Sequence, residues 1–213
     1  TVHLTRAASK ITFRALVAQS ITIKGDDGSS VVWYPDLQNA TLALHNLAQK
    51  SYIDNDSDTG VTGFVPADTD TRVTVSGIQM SPGDFGTDTP PFEGTVEGVS
   101  GWNELTIDVP FYSYGTEWSA GAKNETYINL AVPWHTLGTN GKETDPTTWT
   151  SIATYNYFVP INLTDTEGTD SEGNPITITT GKLVRNKHYK IGLRVGVLGD
   201  LDPLAESEYS YEV

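Results

Sequence analysis

Along most of the chain apolar and polar residues alternate one by one, the period of a strand with one buried face. In Lys10-Ile11-Thr12-Phe13-Arg14-Ala15 the apolar set is Ile11, Phe13 and Ala15. Ile21 and Ile23 repeat the pattern and run into Gly25-Asp26-Asp27-Gly28, a turn signal, before a strand over Val31-Val32-Trp33-Tyr34. Val73 and Val75 mark another strand beside Arg72, and Ile128, Leu130 and Val132 another. Leu105, Ile107, Val109 and Phe111 alternate with polar neighbours, but Pro110 has no N–H to give a ladder and marks an edge or a bulge. Tyr155 to Val159 and Ile176 to Thr179 are shorter candidates. The clearest run is Tyr189, Ile191, Leu193, Val195 and Val197, with Lys190, Gly192, Arg194 and Gly196 facing the other way. A slip of one residue would expose that whole apolar set, so its register is well specified.

One segment fits two periods. Leu37, Thr41, Leu44 and Ala48 have helical spacing, whereas Leu42 and Leu44 have strand spacing; we read a strand. Between the strands lie long polar loops, at Ser51–Asp70, Ser81–Gly101, Gly138–Thr150 and Asp165–Asn174. On a β scaffold such loops sit at the ends of the sheets and often carry function. There is no internal repeat, no heptad and no linker with a compositional break. The expected architecture is all-β with little or no helix, one domain over residues 1–213 or one domain of a longer two-domain precursor.

Composition sharpens the partners more than the fold. With 27 acids against 13 bases the net charge is −14, which repels phosphate backbones and anionic lipid and removes nucleic acid from consideration. No cysteine is present, so neither a disulfide nor a thiolate metal site contributes. No stretch has the apolar length of a membrane helix. No signal peptide is visible at Thr1, so the chain reads as a mature or trimmed form.

The search for catalytic chemistry finds none. Gly98-Val99-Ser100-Gly101 lacks the second glycine spacing of a nucleophile elbow, and no glycine-rich phosphate loop precedes a helix. His3, His45, His135 and His188 lack ligand spacing and read as surface or strand-end residues. Carboxylates could pair across a sandwich for glycoside hydrolysis, but sequence does not pair them. We expect no enzyme and no cofactor. The best metal candidate is Asp54, Asp56 and Asp58, carboxylates at alternate positions of a loop that could converge on calcium. Gly60 comes one residue late for an EF-hand loop and Val65 stands where its last ligand would be, so a solvated acidic turn is the blander reading. Trp33, Trp102 and Trp118 adjoin loops and could stack on sugars; core packing is the alternative. Glycosylation-type triplets begin at Asn39, Asn55, Asn124 and Asn162 and read as incidental.

Three segments carry a resemblance. The first is Leu4-Thr5-Arg6-Ala7-Ala8-Ser9-Lys10-Ile11. The second is Phe111-Tyr112-Ser113-Tyr114, a polar turn, then Thr126-Tyr127-Ile128-Asn129-Leu130, similar to a pair of strands. The third is Tyr157-Phe158-Val159-Pro160-Ile161, a hairpin, then Leu183-Val184-Arg185-Asn186-Lys187-His188-Tyr189 before the long alternating strand. In this order they resemble the fimbrillin family, the structural, anchor and tip subunits of type V pili. The resemblance implies a transthyretin-like Greek-key β-sandwich without catalysis. It also implies export as a lipoprotein precursor, assembly into a fimbria anchored at the bacterial outer membrane, and other pilus subunits as partners, with host glycans or proteins at a tip. Family members lose an N-terminal segment after an arginine, and Arg6 is the position that fits such a cut; the opened groove takes a strand from the next subunit. Tyr209, Tyr211 and Val213 have the alternation of a donor strand or of a strand that completes the chain's own sheet. No lipobox cysteine is present, and the chain is shorter than a two-domain fimbrillin. The competing reading is a carbohydrate-binding or adhesive β-sandwich module.

Overall fold

A computed structural model describes residues 8–49, 72–83, 95–107, 109–119, 125–169, 173–184, 186–199, 201 and 209–212. Strands dominate; the helical residues are confined to short 3-10 turns such as Leu37–Asn39 and Pro146–Thr148. Two six-stranded sheets pack face to face as a β-sandwich, and a smaller three-stranded sheet lies beside them.

Each large sheet is built around one long strand. In the first, β1 (Ala8–Ala18) buries Ile11, Phe13, Ala15 and Val17 and turns Lys10, Thr12 and Arg14 outward. Along one side it pairs in parallel with β14 (His188–Val195), from Lys10 opposite His188 to Val17 opposite Val195. Its other side is shared by two short antiparallel strands, β8 (Phe111–Tyr114) against Ala8–Ile11 and β7 (Trp102–Thr106) against Arg14–Ala18. The two-residue β6 (Ser81–Pro82) flanks β7, and β15 (Tyr209–Glu212) flanks β14.

The second sheet repeats the plan around β10 (Tyr127–Leu137), whose inward residues Ile128, Leu130, Val132 and Trp134 are buried. One side pairs with β11 (Trp149–Pro160); the other is shared by β4 (Thr41–Ala48) and β3 (Ser30–Pro35). β5 (Arg72–Gln79) lies outside β4 and β2 (Ile21–Lys24) outside β3. The third sheet is β12 (Leu163–Thr169), β13 (Pro175–Leu183) and β9 (Thr116–Ser119), in that order.

The inward sets of β1, β14, β4 and β10 form one hydrophobic core. Fully burying a side chain such as Leu42, Leu44 or Ile128 stabilises the fold by roughly 1.5–3 kcal/mol. At one end a serine hydroxyl ties the sheets: Ser113 Oγ of β8 accepts from the Ala48 N–H of β4 at 3.1 Å. Ser9 Oγ donates to the Ser113 carbonyl at 2.9 Å, so this buried polar corner is hydrogen-bonded throughout.

Most strands stand where the alternation puts them, and the departures have local causes. Leu37–Asn39 is a 3-10 turn, so the strand begins only at Thr41. The run through Leu105 to Phe111 breaks in two: pairing with β1 stops at Thr106, opposite Arg14, and resumes at Phe111, opposite Ile11, and Val109 is left 69 % exposed. Pro110 cannot donate to a ladder, which explains the break. Val197 is not inward but 64 % exposed, because β14 ends at Val195. Asp165–Asn174 is not a loop throughout: β12 continues to Thr169 as half of a hairpin with β13. Phe111–Tyr114 and Tyr127–Leu130 are not paired with each other; the first joins β1 and the second joins β4 and β11, in different sheets. His135 is not a surface residue but buried at 1 % exposure.

Candidate functional site

The element that most clearly offers itself to a partner is the outer border of the first sheet. β14 is held along eight residues by β1 and along four by β15, Lys190–Leu193 opposite Glu212–Tyr209. By register Tyr211 lies opposite Ile191 and Tyr209 opposite Leu193. Among the described residues β15 is the last strand of the sheet, and no tight turn joins it to β14, since thirteen residues separate Val195 from Tyr209. A border strand presents unpaired backbone N–H and C=O groups, the chemistry by which another chain adds to a sheet.

The approach to β14 is shaped by the segment between β13 and β14. Leu183 is buried and anchors it, Asn186 takes a left-handed conformation at φ 61°, and the Tyr189 hydroxyl accepts from the Val184 N–H at 2.8 Å. Asparagine tolerates that conformation better than other side chains. Two backbone bonds fasten the segment to β1: Asn186 N–H to the Ala8 carbonyl at 3.1 Å, and Lys10 N–H to the Lys187 carbonyl at 2.9 Å. The sequence element that begins at Leu183 is thus a folded corner that sets the register of β14 on β1. Burial holds the Tyr189 phenol above its ordinary pKa, partly offset by the Val184 bond, so it stays a neutral structural hydroxyl.

The three candidate tryptophans stand in three different sheets and are not brought together as one platform. Trp33 is half-buried and meets Tyr155 edge-on, ring centroids 6.0 Å apart. Trp102 is half-buried beneath the Arg194 guanidinium, 5.8 Å from its ring. Trp118 is 3 % exposed and packed on Gly181, so its ring offers no open face to a sugar. Arg6, Asp54, Asp56, Asp58 and Val213 lie outside the described residues, and Tyr209 and Tyr211 are placed by their backbone. Among the described residues no cluster of three or more metal-ligating side chains occurs. Nor, among them, is any helix long and apolar enough to cross a membrane.

Two aromatic clusters were not legible in the sequence. His135 stacks on Trp149, centroids 3.6 Å apart and planes 14° apart, with Tyr34 on the opposite strand at 6.1 Å. Among the described residues neither ring nitrogen of His135 has a hydrogen-bond partner, and desolvation lowers its pKa against the opposing pull of Asp36 and Glu143. His45 stacks on Tyr127 at 4.3 Å, and burial lowers its pKa as well. Both read as packing between neighbouring strands.

No protein-family model matches this chain, and a comparison with curated proteins finds none similar to it.

Proposed function

We propose that the chain is a structural or adhesive subunit of a bacterial surface fimbria, of the fimbrillin kind, assembled by strand donation between subunits and anchored at the outer membrane. The reading takes the sandwich as transthyretin-like with Greek-key connections, and it involves no catalysis and no cofactor. The observation that carries it is the position of β15. It is a four-residue border strand on β14, reached by a long connection, and so the element of the first sheet easiest to exchange for the same strand of another copy. Exchange would conserve the backbone ladder and so cost little in hydrogen bonding. The corner from Leu183 to Tyr189 supports the reading, since it presents β14 in fixed register to whichever strand fills the border.

The test is removal of Glu208 to Val213. The shortened protein is expected to keep a folded core with a lowered melting temperature, to lose self-association in light scattering and electron microscopy, and to bind the excised peptide added back. A shortened protein that both folds and polymerises like the parent would sink the proposal.

A further inference from the structure

The outward face at the Ala8 end of β1 gathers an unusual set of side chains for so acidic a chain. Lys10 is the middle of a row across three strands, with Tyr112 of β8 opposite it on one side and His188 of β14 on the other. Their neighbours Ile11, Tyr189 and Phe111 turn toward the core, so the row itself faces out. One step along, Tyr114 lies opposite Ala8, and the corner before β14 carries Asn186 and Lys187 up beside them. These seven residues line an open cleft of about 630 Å³. That is within the size range of small-ligand sites. Thr12 Oγ1 lies 3.0 Å from His188 Nε2 and fixes the imidazole at the rim.

The chemistry of the lining is selective. The chain has 27 acids and 13 bases, yet among the described residues this lining holds two lysines and a histidine and no carboxylate. Two flexible ammonium groups converge on an anion as point charges. Tyr112, 60 % exposed, offers an aromatic face, and Asn186 brings an amide that both donates and accepts. A long polyanion such as nucleic acid would meet the repulsion of the whole molecule, whereas a compact ligand with one or two charges meets mainly the local field.

We propose that this cleft binds an acidic saccharide, a pyranose chain bearing a carboxylate. The carboxylate sits between Lys10 and Lys187, a sugar ring lies on Tyr112 or Tyr114, and hydroxyls meet Asn186 and His188. The assignment concerns the outward face of the sheet and not its border, so it stands whether or not β15 is exchanged between subunits.

The test titrates the full chain with a sialylated trisaccharide, digalacturonate, neutral lactose and a hexaglutamate peptide, by calorimetry and saturation-transfer NMR. At least one acidic saccharide is expected to bind about tenfold or more tighter than lactose and than hexaglutamate. Lys10→Gln with Lys187→Gln, and separately Tyr112→Ala, should each weaken that binding about tenfold, while Lys142→Gln on a distant loop leaves it unchanged. Melting curves of the variants exclude misfolding, and Tyr112→Phe, which keeps the ring, should retain binding. No acidic saccharide binding, equal binding of lactose, equal binding of hexaglutamate, or binding indifferent to the Lys10, Lys187 and Tyr112 changes would each overturn the assignment.

Discussion

Asn46 shows how much one backbone conformation can organise. It sits in β4 at φ 58°, where the ladder to β5 shifts register, and its carbonyl accepts from both Arg72 Nη1 and Thr126 Oγ1 at 3.0 Å. Its side-chain amide donates to the Glu125 carbonyl at 2.6 Å. Alanine there meets the left-handed penalty of about 1–2 kcal/mol and loses a hydrogen bond of about 1 kcal/mol. Asn46→Ala should therefore cost about 2–3 kcal/mol in urea unfolding, and Asn46→Gly, which relieves the backbone penalty, distinctly less. His135 carries a prediction about pH. Its folded pKa lies below the ordinary 6.5, so below that pH the unfolded chain binds a proton that the native chain does not. Stability should thus be fully present above about pH 7 and fall as the pH drops through 6.5 toward the lowered folded value. His45 adds a slope of the same sign. His135→Phe keeps a ring against Trp149 and should flatten the decline between pH 7 and 5 in thermal melts. An unchanged slope would mean that the histidine is already solvated.

At the scale of elements the third sheet is the least expected part of the fold. β12 is Leu-Thr-Asp-Thr-Glu-Gly-Thr and β9 is Thr-Glu-Trp-Ser, with almost no apolar alternation to betray a strand. Backbone pairing with β13 makes them strands, and polar side chains follow. The sheet is keyed to the rest by Trp118, buried opposite Gly181. A Cβ at Gly181 would overlap the indole, so the absent side chain is what lets the ring lie down. Gly181→Ala should destabilise by about 1–3 kcal/mol, and combined with Trp118→Phe the loss should be less than the sum of the two. Additive losses in a double-mutant cycle would place the indole elsewhere. The same scale explains the strand broken at Pro110. Because β7 and β8 occupy one side of β1 in tandem, the proline falls where no ladder is needed.

At the scale of the molecule, the sandwich closes through its most distant segments. β1 and β14 lie side by side in parallel though nearly the whole chain separates them, and their inward residues meet those of β4 and β10 in one core. Such non-local pairing makes folding slow relative to helical proteins and leaves border strands exposed while it proceeds. It also sets the surface. The parallel pairing brings Lys10 beside His188 and, with the corner before β14, gathers two lysines and a histidine at one cleft of a chain whose net charge is −14.

What the sequence determined by itself is the set of strand faces: which residues of β1, β10 and β14 point inward, where turns such as Gly25 to Gly28 fall, and that the protein is all-β. These are local consequences of a side-chain period of two and of backbone sterics, so they are written in adjacent residues. Only the tertiary structure decided which strand lies beside which, since backbone hydrogen bonds are blind to side-chain identity. For that reason the burial of His135, the strands without apolar alternation, and the meeting of Lys10, Tyr112 and His188 were beyond reach. Each depends on a partner residue far away in the chain.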